Sequence, residues 1–138
     1  MFHHILVPTD LSGHTARAAD MSRDLGRPGS RITLFHVIET LSGAEYDEFA
    51  SFYRELEDRA SRHLTMLAER FEGSGFDVAR TVVYGRPAEE IIRFALDNQV
   101  DLIVLASHKV DTSRPGHGWS TLSYKIGVLA PCSVVLVK

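Results

Sequence analysis

Asp101-Leu102-Ile103-Val104-Leu105-Ala106-Ser107-His108 is the stretch whose reading decides the fold. The run Leu102 to Ala106 is apolar throughout, so a strand here has no polar face to offer water. Strands of that kind lie in the buried centre of parallel sheets, covered by helices on both sides; a half-solvated antiparallel strand would alternate instead.

Upstream, Gly85-Arg86-Pro87 is a turn that places proline in the first turn of a helix. That helix carries Ala88, Ile91, Ile92 and Ala95 inward, with Glu89 and Glu90 near its positive N-terminal end. Phe76 to Tyr84 precedes it as a strand. Further back, Phe49, Tyr53, Leu56, Ala60, Leu64, Leu67 and Phe71 step by threes and fours, which predicts one apolar stripe on a helix of about six turns. Gly73 and Gly75 end it, and Glu39 to Glu45 reads as loop. Arg31 to Ile38 is another strand, rich in β-favouring residues. The chain starts with a short apolar strand, His4 to Pro8, and Thr9-Asp10-Leu11-Ser12 leads into a helix with Ala18, Met21 and Leu25 at helical spacing. Gly26 and Pro28-Gly29 close that helix.

Downstream, a polar loop from Ser107 to Gly118 leads to a last helix with Leu122, Ile126 and Leu129 inward, then to the final strand Ser133 to Val137. Strands and helices therefore alternate strictly, β-α-β-α-β-α-β-α-β. Helical crossovers make the strands parallel, so the expected fold is an α/β three-layer sandwich. No repeat or linker divides it, and residues 1–138 form one domain.

The 138 residues are 44% hydrophobic and 24% charged, ordinary values for a globular chain with a real core. The net charge of −3 favours neither nucleic acid nor an anionic membrane as partner. No apolar run reaches the roughly 20 residues that span a bilayer, and the first residues lack a signal-peptide pattern. The single cysteine, Cys132, cannot form an internal disulfide; it sits in an apolar stretch as an expected buried, inert thiol. A cytoplasmic protein is the expectation.

In open parallel sheets, ligands gather beyond the carboxyl ends of the strands, where strand order reverses. The loops after the first and fourth strands, Pro8-Thr9-Asp10-Leu11-Ser12 and Ser107 to Thr121, meet there if those strands are neighbours. Ser120 and Thr121 either supply hydroxyls to an anion at the last helix's N-terminus, with Lys109 or Arg114 adding charge, or simply cap that helix. Asp10 either caps the first helix or contacts a ribose, a nucleobase or a metal. Of seven histidines, only His108 and His117 share a loop, and none has zinc-site spacing, so no metal site is predicted. Trp119 reads as a packing or interface residue. No nucleophile, base and orienting group form a recognisable set, and turnover is not predicted.

Five ordered landmarks carry a family resemblance: His4-Ile5-Leu6-Val7-Pro8-Thr9-Asp10; Phe35-His36-Val37-Ile38; Gly85-Arg86-Pro87-Ala88-Glu89-Glu90-Ile91; the stretch from Asp101 to His108; and Ala130-Pro131-Cys132-Ser133-Val134-Val135-Leu136-Val137. Together they resemble the universal stress protein family over essentially the whole chain. The resemblance implies a Rossmann-like, five-stranded parallel sheet of order 3-2-1-4-5, similar to adenine nucleotide alpha hydrolases. It also implies a homodimer paired through Ser133–Val137.

In that family's ATP-binding branch, a Ser-His pair precedes a glycine-rich phosphate loop. Here Lys109, Thr112 and Ser120 stand where its glycines belong. A Cβ at each crowds the phosphates or disfavours positive φ. The chain thus resembles the branch that does not bind ATP. By the same resemblance, any nucleotide (ATP or AMP with Mg²⁺) would involve Pro8, Thr9, Asp10, Val37, Ser107, His108, Gly118, Ser120 and Thr121. Adenine would lie near Val37, ribose near Asp10, and phosphates near Ser120 and Thr121. The leading expectation is a dimeric stress-response module that engages an unidentified client protein, with weak or absent ATP binding. The alternatives are an ATP- or AMP-responsive regulator whose loop 107–121 orders on binding, and a nucleotide-hydrolysing enzyme.

Overall fold

Alternation along the strands sorts the apolar side chains into two cores. The computed structural model describes residues 2–40, 49–107 and 122–138. Its elements run β1 (His4–Pro8), α1 (Thr15–Leu25), β2 (Arg31–Ile38), α2 (Ala50–Glu69), β3 (Asp77–Tyr84), α3 (Pro87–Asp97), β4 (Leu102–Ala106), α4 (Leu122–Leu129) and β5 (Ser133–Val137). The sheet order is β3-β2-β1-β4-β5, as the resemblance implies, and every neighbouring pair is parallel, as the strict alternation of strands and helices predicts.

Odd positions of β1, Ile5 and Val7, share one core with Leu34, Leu102 and Val104 under α1 and α2. The even position Leu6 joins Phe35, Ile103 and Leu105 beneath Ile91 and Ala95 of α3 and Ile126 of α4. The all-apolar β4 is buried because it serves both cores at once. Among the described residues, no helix is long and apolar enough to cross a membrane.

The turn into α3 depends on Gly85, which has φ +147° and would place a Cβ 2.8 Å from Cγ of Glu90. Pro87 occupies the first turn of the helix that follows, and Arg86 precedes it in extended conformation.

Several side chains face differently from the sequence reading. On α1 the buried positions are Thr15, Ala18, Ala19 and Ser22; Met21 is exposed, because two small side chains and two hydroxyls let the helix lie close to the sheet. Phe49 precedes α2 and is also exposed, whereas Tyr53, Ala60, Leu64, Leu67 and Phe71 are buried. On α4 only Ile126 is buried; Leu129, expected inward, is 61% exposed, because a helix of eight residues at the sheet's flank has room for one inward turn. Cys132 is half-buried rather than buried. Expectations that fall on His108, Lys109, Thr112, Arg114, His117, Gly118, Trp119, Ser120 and Thr121 lie outside the described residues.

Candidate functional site

β1 and β4 are direct neighbours, Ile5 beside Leu102 and Leu6 beside Ile103, so the carboxyl ends of the two strands lie side by side at the switch point. A cavity of about 630 Å³ opens there. Its walls are mostly apolar: Phe35, Val37 and Ile38 from β2, Pro87 and Ile91 from α3, and Leu105 from β4. Phe52 and Leu56 of α2 form a further wall, and Leu122 and Ser123 belong to α4. Polar groups enter from Thr9, Asp10, Thr15, His36 and Glu39.

The corner that follows β1 is built by hydrogen bonds. The Thr9 hydroxyl donates to Oγ1 of Thr15 at 2.9 Å. It must therefore accept from its other two neighbours, the Leu11 N–H at 3.0 Å and Nε2–H of His63 at 3.2 Å. The Thr9 N–H donates to the Phe35 carbonyl at 2.8 Å, and the Thr9 carbonyl accepts from Nδ1–H of His36 at 2.7 Å. Asp10 accepts the Ser12 N–H at 2.9 Å, closing an Asx turn.

These bonds hold Leu11 at φ +67°, a left-handed conformation that costs a side chain about 1–2 kcal/mol. Asp10 does not cap α1: that helix begins at Thr15 after His14, five residues beyond Asp10, with no side-chain cap bond. Asp10 is instead exposed and lines the cleft. Ser12 Oγ is the one buried side-chain polar atom without a partner among the described residues.

Burial lowers the His63 imidazole below its ordinary pKa, the neighbouring His36 lowers it further, and Asp10 partly opposes both. Neutral His63 with its proton on Nε2 fits its role as donor to Thr9. Burial raises the Cys132 thiol, with a smaller contribution from Asp101, which suits an unreactive cysteine. Among the described residues, no three His, Cys, Asp or Glu side chains are grouped to hold a metal ion.

Of the residues singled out from the sequence, Pro8, Thr9, Asp10 and Val37 come together around the cleft. Ser107 bonds to β5: its N–H donates to the Val137 carbonyl at 2.8 Å, and Lys138 Nζ lies 3.4 Å from its hydroxyl. His108, Gly118, Ser120 and Thr121 lie outside the described residues. Sequence reasoning missed His63 and Thr15. The signal for His63 was its place on the apolar stripe, three residues after Ala60 and one before Leu64, where a polar side chain needs a buried partner.

Fold and cleft together define a doubly wound α/β domain with a ligand-sized cavity at its topological switch point. The model of the Universal stress protein family matches residues 1–138, and the chain belongs to that family. It is 30% identical over the full length of both chains to the "Universal stress protein in QAH/OAS sulfhydrylase 3'region" of Thermus aquaticus. It is also similar to universal stress protein MJ0577 of Methanocaldococcus jannaschii. A solved structure of MJ0577 covers 100% of this chain and 96% of its own, at TM-score 0.81 and 27% identity. An Arabidopsis thaliana universal stress protein family member, solved with AMP bound, shares the fold at TM-score 0.70 and 17% identity, covering 99% of this chain and 91% of its own.

Proposed function

We propose that this chain is a cytoplasmic stress-response module that binds an adenine nucleotide with few phosphates, of the AMP class, in the switch-point cleft. One observation carries the reading: a preformed, mostly apolar cavity of about 630 Å³ with Thr9 and Asp10 at its polar side. Volumes of this size suit a small organic ligand. Asp10 is placed to accept hydrogen bonds from ribose hydroxyls, and the apolar walls suit a base. That a protein of this fold was solved with AMP supports the choice of ligand. Lys109, Thr112 and Ser120 stand in sequence where the ATP-binding branch has glycines, and the loss of glycine's freedom at those positions supports weak ATP binding. We assign no turnover to the site. The lone Cys132 supports the cytoplasmic reading.

Calorimetric titration of AMP, ADP and ATP with Mg²⁺ tests this. Affinity should fall from AMP to ATP, and no phosphate should be released from ATP. No saturable binding of any of the three at millimolar concentration overturns the proposal. Mass spectrometry of small molecules released on denaturation is an independent check.

A second reading concerns assembly. β5 is a sheet edge with Leu136 exposed, and Tyr124, Val128 and Leu129 of α4 are exposed as well. An edge strand with no outer strand neighbour among the described residues, flanked by apolar side chains, favours pairing with a second copy into a homodimer, which then presents a surface to a client protein. Sedimentation showing monomer alone at micromolar concentration counts against the pairing.

A further inference from the structure

The wall that α2 contributes to the cleft has an unusual surface. Phe52, in the first turn of that helix, lines the cavity yet is 49% exposed. Leu56, one turn on, lines the cavity as well, so the same helix face is presented over two turns. The backbone at Phe52 is anchored through its neighbour. Tyr53 is buried and stands edge-on to the Tyr84 ring at 5.7 Å, and the Phe52 ring meets Tyr53 edge-on at 5.6 Å. Phe52 is therefore an aromatic ring on a fixed support, with about half of its surface left to water at a mostly apolar cavity. Aromatic side chains bury large areas and stack with defined geometry, so such a ring rewards a flat partner more than an aliphatic one.

We propose that Phe52 is a specificity-determining residue of the cleft, stacking on the planar ring of the bound ligand while Thr9 and Asp10 engage its polar part. This rests on the cleft being the nucleotide site and deepens that reading, because it places recognition in the base rather than in the phosphates. The recognised class is a purine nucleoside or nucleoside monophosphate. Selection then requires no glycine-rich phosphate loop, which fits Lys109, Thr112 and Ser120 standing in place of its glycines.

The test is calorimetry on the full chain with adenosine and with AMP, comparing Phe52→Leu and Phe52→Trp with the unaltered protein. Leucine keeps apolar bulk and helix propensity but removes the π face; tryptophan keeps the face. Stacking on an aromatic side chain accounts for about a tenfold or larger factor in affinity. Phe52→Leu should therefore weaken adenosine and AMP by about tenfold and by the same factor. Phe52→Trp should stay within about twofold of the unaltered chain, less than 0.5 kcal/mol by the usual conversion. Both variants should unfold at the unaltered temperature, since Phe52 is half-exposed. Unchanged affinity in Phe52→Leu overturns the stacking role while leaving the nucleotide site standing. Failure of Phe52→Trp to hold affinity overturns it too. If the unaltered chain binds neither adenosine nor AMP, the nucleotide reading itself fails, and this inference falls with it.

Discussion

The corner after β1 and the flank formed by α4 and β5 meet their needs in opposite ways. At the corner, Thr9 alone joins β2 through Phe35, α1 through Thr15 and α2 through His63. Its polar groups are partnered from within the chain, with Ser12 Oγ the exception among the described residues. At the flank, Ile126 is fully buried, while Tyr124, Val128 and Leu129 on the same helix are exposed, as is Leu136 on β5. One region is completed by its own chain at the cost of backbone strain. The other leaves apolar side chains exposed among the described residues. The comparison teaches that the corner beside the cleft is specified by hydrogen bonds within the chain, whereas the α4–β5 flank has a buried anchor beside exposed apolar side chains.

Four predictions probe that contrast, beginning with the largest effect. Ile126→Ala should destabilise the chain by about 3 kcal/mol, the usual cost of emptying a fully buried aliphatic site. Leu129→Ala, three residues on, should change monomer stability by less than about 0.5 kcal/mol. Denaturant titration of the pair measures the asymmetry of α4, and equal losses would show that both residues face the core.

At the corner, Thr9→Val keeps the shape but strands the Leu11 N–H and the His63 ring N–H. About 2 kcal/mol of stability should be lost. A cost near zero would mean that water replaces the hydroxyl, and the corner would not be internally specified.

Leu11→Gly acts in the other direction. Glycine accepts φ +67° without its Cβ clash, so stability should rise by up to about 1 kcal/mol, reduced by glycine's greater unfolded-state freedom. A loss would place the Leu11 side chain's packing above its backbone strain.

The smallest effect is pH-dependent. His63 has a folded pKa depressed below its ordinary 6.5, mainly by burial and then by His36. The unfolded chain therefore takes up this proton first as pH falls, and stability drops from about pH 6.5 downward until the folded-state pKa is reached. Above pH 6.5 this histidine contributes no slope. The denaturation midpoint should fall on going from pH 7.5 to pH 5, roughly the span over which histidine titrates. His63→Gln should remove part of that fall, and an unchanged slope would exclude His63 as its source.

Much of this was legible in the residues. The unbroken apolar run of β4 announced burial on both sides. Gly85-Arg86-Pro87 announced a turn and a helix start, and each behaves as its local chemistry requires. Strand order 3-2-1-4-5 came from family resemblance, since alternation alone does not order parallel strands. The partner of Thr9 was hidden because His63 lies 54 residues away on a helix whose stripe was read for its apolar members. Leu11's left-handed backbone was hidden as well: the usual markers are glycine or asparagine, and neither stands there. Leu129 misled because helical spacing shows which residues share a face but not whether that face has a neighbour.

The sequence by itself determined the parallel α/β class, the element order and the family, because these follow from short-range patterns of polarity, glycine and proline. Tertiary structure alone decided that Thr9, Thr15, His36 and His63 share one corner, that Phe52 stands half-exposed at the cleft, and that Leu129 of α4 is exposed. Those facts depend on distant segments brought together by packing two cores on one sheet, and side-chain burial there is settled by neighbours that no local pattern names.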